Sequence, residues 1–188
     1  PIPRTLQMAM AGVRDLSIIA TPPVDRLAVR TYVSPFDKVS LREALLREKY
    51  RAGQSFIIVP RISDITEITN FLSEDVPEVS FIMAHGQMSG GDLEDRMTAF
   101  YQGTYDILVS TSIIESGLDI PSVNTIIIHR ADRFGLAQLY QMRGRVGRSK
   151  TRAYAYLTYN ETNGLTEPAE KRLKVMQSLD SLGAGFNL

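Results

Sequence analysis

The segment Gln141–Arg148, with the sequence Gln-Met-Arg-Gly-Arg-Val-Gly-Arg, contains the residue types of a phosphate-binding site. It places Arg145 and Arg148 three residues apart, and its two glycines let the backbone come close to a ligand. Guanidinium groups bind phosphate oxygens through paired hydrogen bonds and stabilise the charge of a transferring phosphoryl group. The segment therefore predicts phosphate chemistry.

A phosphate-cradling loop would normally accompany such arginines, but the chain offers only a near match to one. Residues 144–151 lack one glycine of the loop pattern, because Ser149 occupies its position. Such a loop follows a strand and opens a helix, whereas this segment follows a predicted helix and precedes a predicted strand. No Asp-Glu pair ends an apolar strand to bind magnesium or activate water. We therefore predict no metal site in this chain and no ATP hydrolysis by the chain alone.

The bulk composition is that of an ordinary globular protein. The chain has no net positive charge of the kind that attracts nucleic acid. Of the 188 residues, 44% are hydrophobic and 22% are charged, and 21 basic side chains balance 21 acidic ones. Any contact with nucleic acid must therefore be local. The five cations between Arg143 and Arg152, with no acid among them, predict an electropositive patch. The absence of cysteine excludes disulfides and thiolate chemistry and fits a reducing cytoplasm.

The chain begins at Pro1 without an initiator methionine and ends soon after a helical pattern, so we expect both ends to be cut from a longer protein. Short β-branched runs alternate with amphipathic stretches, which predicts an α/β fold with a parallel sheet. The predicted strands are Leu16–Ala20, Leu27–Val33, Ser55–Pro60, Val79–Ala84, Asp106–Thr111, Thr125–Arg130 and Ala153–Tyr159. The predicted helices are Thr5–Ala11, Ser40–Arg51, Ser63–Leu72, Gly91–Tyr101, Gly135–Arg143 and Pro168–Leu182.

Two further polar segments follow predicted strands, namely Ala84–Met88 and Ser110–Pro121. Each could be an ordinary turn, with Asp119 as a local cap, and the arginines could be a solvated helix end. Their order and spacing together favour a site instead. Ligands of open α/β sheets bind at the carboxyl ends of the strands. We therefore expect both segments and the arginine segment to converge on one edge of the sheet.

In this order, the segments resemble the second RecA-like motor domain of superfamily 2 helicases and translocases. Residues 1–6 are similar to the end of the family's motif III, Gln54–Arg61 to motif IV, Val109–Pro121 to motif V and Gln141–Arg148 to motif VI. The resemblance implies a RecA-like three-layer sandwich with a mainly parallel sheet over residues 1–160. The remaining residues, 161–188, would be a C-terminal helix that begins the family's translocation motif, a helical hairpin.

Within that superfamily, the chain most resembles the translocases that couple transcription to nucleotide excision repair. Residues 17–23, 26–29, 120–121, 124–128, 130–139 and 182–186 carry this similarity. The resemblance implies an ATP-dependent double-stranded DNA translocase of the bacterial cytoplasm. Through other domains, it would displace stalled RNA polymerase and recruit an excision-repair damage-recognition protein. Two alternatives stay open: a RecG-like branched-DNA helicase, and a DNA- or protein-binding module that kept the fold without the chemistry.

The resemblance also implies roles at matching positions. Arg145 and Arg148 would be arginine fingers that reach the γ-phosphate of an ATP bound, with Mg²⁺, mainly by the first motor domain of the same chain. Three residues would serve the nucleotide side of the cleft: Gln141, Gly117 and Asp119. Three would contact the DNA backbone: His85, Gly86 and Thr111. Two would couple motor closure to DNA movement: Arg4 and Arg172.

The last predicted helix has an apolar stripe formed by Leu173, Met176, Leu179 and Leu182. A stripe of this kind must be covered by something. We expect it to pack against a partner segment of the longer protein and to be partly exposed here.

Overall fold

The computed structural model describes residues 29–111, 120–147 and 149–185. Some of the sequence predictions therefore lie outside the described residues: the strand Leu16–Ala20, the helix Thr5–Ala11, and the site residues Arg4, Gly117, Asp119 and Arg148.

Six strands and five α-helices make up the described part of the chain. The strands are β1 (Arg30–Pro35), β2 (Gln54–Val59), β3 (Phe81–Ala84), β4 (Ile107–Thr111), β5 (Val123–Ile128) and β6 (Tyr154–Tyr159). The helices are α1 (Lys38–Tyr50), α2 (Ile65–Asp75), α3 (Gly90–Tyr101), α4 (Leu136–Arg143) and α5 (Glu167–Gly185). Short 3-10 turns, Ile62–Asp64 and Ala131–Arg133, precede α2 and α4. Every element predicted within the described ranges is present, which confirms those predictions.

The strands form one sheet in the order β1-β6-β5-β2-β4-β3, and every neighbouring pair is parallel. The predicted α/β class with a mainly parallel sheet is confirmed. Because the strands are parallel, all six begin at one border of the sheet, here called the amino edge. All six end at the opposite border, the carboxyl edge.

Helices cover both faces of this sheet. On one face, α1 and α2 pack with side chains such as Leu45, Ile68 and Ile127. On the other face, α3, α4 and α5 pack with side chains such as Phe100 and Leu157. All residues of the three central strands, β2, β4 and β5, are buried. This burial on both faces explains why their sequences are almost continuously apolar.

Helix α5 packs against this same core. Leu173 and Met176 are buried in it, and Leu179 packs against it from the side. The helix lies against β1, α4 and the turn Ala131–Arg133. The expectation that this apolar stripe needs a partner segment is therefore wrong for Leu173 and Met176, because the domain covers them itself; Leu179 is only partly buried. None of the described helices combines the length and apolar character needed to cross a membrane.

Candidate functional site

The arginine segment lies at the amino edge of the sheet. Helix α4 starts after the carboxyl end of β5, runs back across the sheet and ends at Arg143. There, Nε of Arg143 donates to Oγ1 of Thr31 at 2.8 Å, and an Nη2 hydrogen bond of 3.1 Å reaches the carbonyl of Val29. Both acceptors lie at the start of β1. The expectation that this segment meets the other two at one edge is therefore wrong.

The segment after Arg143 is called here the arginine turn, residues 143–152. The backbone of Gly147 has a φ of +80°, in the left-handed region that favours glycine. A Cβ at this position would lie only 2.8 Å from Cγ2 of Val29. Further along, Oγ of Ser149 donates to Oδ1 of Asn124 at 3.3 Å, at the start of β5. Contacts with two separate strands therefore fix the path of the turn.

The cations of the predicted electropositive patch differ in their burial and hydrogen bonding. The guanidinium of Arg143 is part-buried and bonded to β1, so it supports the turn. Arg145 is half-buried, Lys150 is exposed, and Gln141 is exposed in the last turn of α4. Gln141 and Arg145 therefore both lie at the amino edge, and their roles stay predictions.

The predicted DNA-contacting residues lie at the opposite, carboxyl edge. Thr111 ends β4, and His85 and Gly86 directly follow β3, whose last residue pairs with Ser110. His85 is half-buried and accepts a hydrogen bond from the Gln87 amide at Nδ1, 3.3 Å away, whereas Gly86 is exposed. The structure therefore places these three residues side by side. With strands of four to six residues, the two edges are roughly 13–20 Å apart.

Thr111 has a buried hydroxyl without a hydrogen-bond partner. The residue is 4% exposed, and neither its Oγ1 nor the Oγ of neighbouring Ser110 has a bonding partner among the described residues. Buried polar atoms are nearly always hydrogen-bonded, so these two exceptions call for an explanation. Residues 112–119, which include Gly117 and Asp119, join Thr111 at the carboxyl edge to Ile120 near the amino edge.

The carboxyl edge also carries charged residues that the sequence reasoning did not select. Arg61 follows β2, its side chain is 59% exposed, and its Nε lies 3.4 Å from Oδ2 of the buried Asp64. Arg130 follows β5 with a φ of +53°, and its Nη1 lies 3.7 Å from Oδ1 of the same carboxylate. A usable signal existed for Arg61, because it ends the segment that resembles motif IV.

His129 adds a buried imidazole at this edge. It is 4% exposed, its Nε2 lies 3.2 Å from Oε2 of Glu67, and Nδ1 has no partner among the described residues. Phe36 packs edge-on against the ring, with the centroids 5.1 Å apart. Burial lowers the pKa of His129, and this effect exceeds the opposing attraction of Glu67; Arg130 lowers the pKa further and Asp64 raises it slightly.

We expect this depressed pKa to make the stability of the fold depend on pH. The unfolded chain protonates His129 near pH 6.5, whereas the folded chain does so only at lower pH. The free energy of unfolding should therefore be highest above about pH 6.5 and fall as the pH drops through that value towards the folded pKa. Urea unfolding midpoints at pH 7.5, 6.5 and 5.5 measure this, and His129→Asn should flatten the dependence. An unchanged slope in His129→Asn would contradict the assignment.

Arg172 joins α5 to the start of α4. Its Nε donates to the carbonyl of Phe134 at 3.2 Å, and its Nη2 donates to the carbonyl of Asp132 at 3.0 Å. Both carbonyls belong to the connection that leads into α4, whose other end carries the arginine turn. The guanidinium is thus bonded within the fold, and its coupling role stays a prediction. Among the described residues, no group of His, Asp or Glu side chains is arranged to hold a metal ion.

With its all-parallel sheet and its arginine turn, the chain belongs to the family described as the helicase conserved C-terminal domain, whose model matches residues 37–150. Its sequence is 55% identical over all 188 residues to the transcription-repair-coupling factor of Rickettsia bellii (strain RML369-C), covering 17% of that protein. It is 53% identical over the same residues to the transcription-repair-coupling factor of Escherichia coli (strain K12), covering 16% of it. The chain therefore spans about a sixth of the length of these bacterial relatives. The predicted resemblance to translocases that couple transcription to repair is confirmed.

Solved structures agree on the fold. The structure of RecG bound to a three-way DNA junction superposes with a TM-score of 0.72 at 36% identity, covering 97% of this chain and 25% of that one. The C-terminal domain of the DEAD-box protein Dbp5 superposes with a TM-score of 0.57 at 18% identity, covering 84% of this chain and 87% of that one. The second match shows the fold alone. The predicted RecA-like fold is confirmed.

Proposed function

We propose that this chain is the second motor domain of an ATP-dependent double-stranded DNA translocase that couples transcription to nucleotide excision repair. Its arginine turn would complete an ATP site whose Mg²⁺ and phosphates are held mainly by the first motor domain of the same polypeptide. The observation that carries this proposal is the fixed arginine turn at the amino edge, bonded to β1 through Arg143 and to β5 through Ser149.

A fixed turn is what phosphoryl transfer requires of a guanidinium. Positive charge stabilises the transition state best when it is already in place, because no reorganisation is then needed during the reaction. Arg145 follows the bonded Arg143 by two residues and precedes the tightly packed Gly147 by two. Arg148 comes directly after that glycine in the sequence. We propose these two side chains as the arginine fingers, and loss of turnover on replacing them tests the proposal.

For the DNA side, we propose the carboxyl edge, with His85, Gly86 and Thr111 contacting the backbone of the duplex. Backbone contacts are independent of sequence, which suits a protein that moves along DNA. The exposed Arg61 is a further candidate at this edge. ATP and DNA would then bind at opposite edges of one sheet.

The whole protein's partners are also part of this proposal. RNA polymerase and an excision-repair damage-recognition protein would bind other domains, in the bacterial cytoplasm. The transcription-repair-coupling factors support this assignment over the RecG-like alternative, because 55% identity over the whole chain exceeds the 36% identity to RecG. Arg4 and Arg172 would couple closure of the motor to DNA movement, and residues 161–188 would begin the helical hairpin of the translocation motif.

Thr111→Val tests the DNA side with little risk to the fold. The substitution keeps the shape of the side chain and removes a hydroxyl that has no partner in the described part of the chain, so the free energy of unfolding should be unchanged or slightly raised. Affinity of the full-length protein for duplex DNA should fall severalfold, by about 1 kcal/mol for one lost hydrogen bond. Fluorescence anisotropy at fixed salt measures it.

Ser110→Ala is the matched control for this experiment. Ser110 also has a buried, unpartnered hydroxyl, but it points to the other face of the sheet because side chains alternate along a strand. DNA affinity should therefore not change in this variant. Unchanged affinity in both variants would remove Thr111 from the DNA surface.

A further inference from the structure

The end of the arginine turn is held by an ion pair at the carboxyl end of α1, between the buried Glu48 and the part-buried Arg51. Glu48 is 1% exposed, and both of its carboxylate oxygens accept hydrogen bonds from the guanidinium of Arg51, through Nε and, at 2.8 Å, through Nη2. Oγ1 of Thr125 on β5 donates to the same carboxylate at 2.7 Å. Gly53 makes room for it, since a Cβ there would lie 2.2 Å from Oε2 of Glu48.

The same guanidinium also contacts the arginine turn. Nη2 of Arg51 donates to the carbonyl of Arg152 at 2.7 Å. Its central carbon lies 5.3 Å from the ring centroid of Tyr154, within the range of a cation–π contact. The N–H groups at the edge of the guanidinium therefore bind Glu48 and the carbonyl of Arg152, while its flat face contacts the ring of Tyr154. A lysine could not make this combination, because an ammonium group has neither the fork nor the flat face.

We infer that Glu48 and Arg51 form a positioning pair for the arginine turn. Arg143 holds the start of the turn on β1, Gly147 and Ser149 hold its middle, and Arg51 holds its end through the carbonyl of Arg152. The pair acts through the backbone and touches no nucleotide. Its catalytic consequence rests on the proposed function, in which the turn presents Arg145 and Arg148 to a phosphate.

The test compares Arg51→Lys with Arg42→Lys in the full-length protein. Arg42 lies on α1, the helix that Arg51 directly follows. It binds both carboxylate oxygens of Glu78 and donates to the carbonyl of Asp75 at 2.8 Å. It therefore has the same kind of bonding, but it holds the connection between α2 and β3. Any general effect of an arginine-to-lysine change on α1 should appear in both variants.

The first measurement is backbone amide hydrogen exchange without nucleotide. In Arg51→Lys, amides of residues 144–152 should exchange about tenfold faster, because local opening of the turn costs less free energy. In Arg42→Lys, these amides should exchange at the original rate. The second measurement is DNA-stimulated ATP hydrolysis, in which Arg51→Lys should lower kcat by about 10- to 100-fold while KM stays within twofold. Arg42→Lys should retain kcat.

The hydrogen-exchange result decides whether Arg51 positions the arginine turn. Unchanged exchange in residues 144–152 of Arg51→Lys, or equal changes in the two variants, would overturn the inference. If Arg51→Lys fails to fold, the double variant Glu48→Gln with Arg51→Gln replaces it, because removing both charges avoids leaving one buried and unpaired. That variant should show the same faster exchange, and original exchange rates would equally overturn the inference.

Different measurements test the positioning role of Arg51 and the proposed finger role of Arg145 and Arg148. Full turnover in Arg145→Ala and Arg148→Ala would remove the proposed fingers, while hydrogen exchange would still decide whether Arg51 positions the turn. Loss of turnover in those variants, with a normal kcat in Arg51→Lys, would leave the fingers in place and overturn the positioning role. In the background of Arg145→Ala, adding Arg51→Lys should have a much smaller effect on kcat than it has alone, since both changes act on one unit.

Discussion

Replacing Arg148 with alanine in the full-length protein is expected to lower DNA-stimulated ATP turnover by about 10³- to 10⁵-fold, the range found when an arginine finger is removed. Arg145→Ala should act in the same direction, because the two guanidiniums would share the charge of one transferring phosphoryl group. The loss should appear in kcat more than in KM for ATP, since the interaction strengthens only in the transition state. Steady-state hydrolysis with saturating duplex DNA measures both constants.

Lys150→Ala is the control for that result. Lys150 is an exposed cation of the same turn, so its loss removes a similar charge from the surface without removing a proposed finger. Turnover should remain within a few-fold of the original, and DNA affinity should be unchanged in all three variants. Normal turnover in a folded Arg148→Ala protein would refute the finger assignment. The 188-residue chain alone should show no measurable hydrolysis, because the proposed phosphate and Mg²⁺ site belongs to another domain.

The strands and helices were predictable because the sequence repeats a simple local pattern. The apolar runs at 107–109 and 126–128 belong to strands that are buried on both faces. Short-range rules of this kind need no knowledge of the tertiary structure. They also located the loops that follow β3 and β4, since a segment directly after a parallel strand must lie at the carboxyl edge.

The position of the arginine turn was predicted wrongly because it follows a helix rather than a strand. Helix α4 has eight residues, about 12 Å of rise, which is enough to return the chain across most of the sheet. A segment between a returning helix and the next parallel strand must lie at the amino edge. The available sequence signal was therefore the order of elements, with the turn placed after α4 and before β6.

Other features of the site depend on contacts that no local pattern encodes. Arg143 binds Thr31 across 112 positions of sequence, and Arg51 binds the carbonyl of Arg152 across 101 positions. The apolar stripe of α5 was visible in the sequence, but the pattern does not say which surface covers it. For Leu173 and Met176, that surface is formed by β1, α4 and the turn Ala131–Arg133 of the same domain.

The two edges of the sheet differ in how completely their polar groups are bonded. At the amino edge, Gln54 donates to the carbonyls of Phe100 and Tyr105 and accepts from Ser122, so its amide is fully used. Four buried side-chain atoms have no hydrogen-bond partner among the described residues: Ser110 Oγ, Thr111 Oγ1 and His129 Nδ1 at the carboxyl edge, and Asp75 Oδ2 at the end of α2. A fixed amino edge suits the preorganised guanidiniums of the proposed ATP site. Unused polar groups at the carboxyl edge suit a surface completed by a ligand.

The stability of the arginine turn should depend strongly on Gly147. Gly147→Ala is expected to lower the free energy of unfolding of the 188-residue chain by about 2–5 kcal/mol, from two separate causes. A left-handed backbone costs a residue with a Cβ about 1–2 kcal/mol. The new Cβ would also lie 2.8 Å from Val29 Cγ2, and relieving an overpacked contact costs about 1–3 kcal/mol. Val29 cannot easily turn away, since a β-branched side chain is stiff.

Gly164→Ala separates these two causes. Gly164 has a φ of +67°, similar to that of Gly147, but a Cβ there would meet no atom within 4 Å. Its replacement should therefore cost only the backbone contribution, about 1–2 kcal/mol. Urea unfolding of both variants at pH 7.5 measures the difference, and equal losses would mean that Val29 moves aside without cost. If the larger loss occurs at Gly147, the same substitution in the full-length protein should also lower ATP turnover. The reason is that the new Cβ would push against Val29 and shift the backbone that carries Arg145 and Arg148.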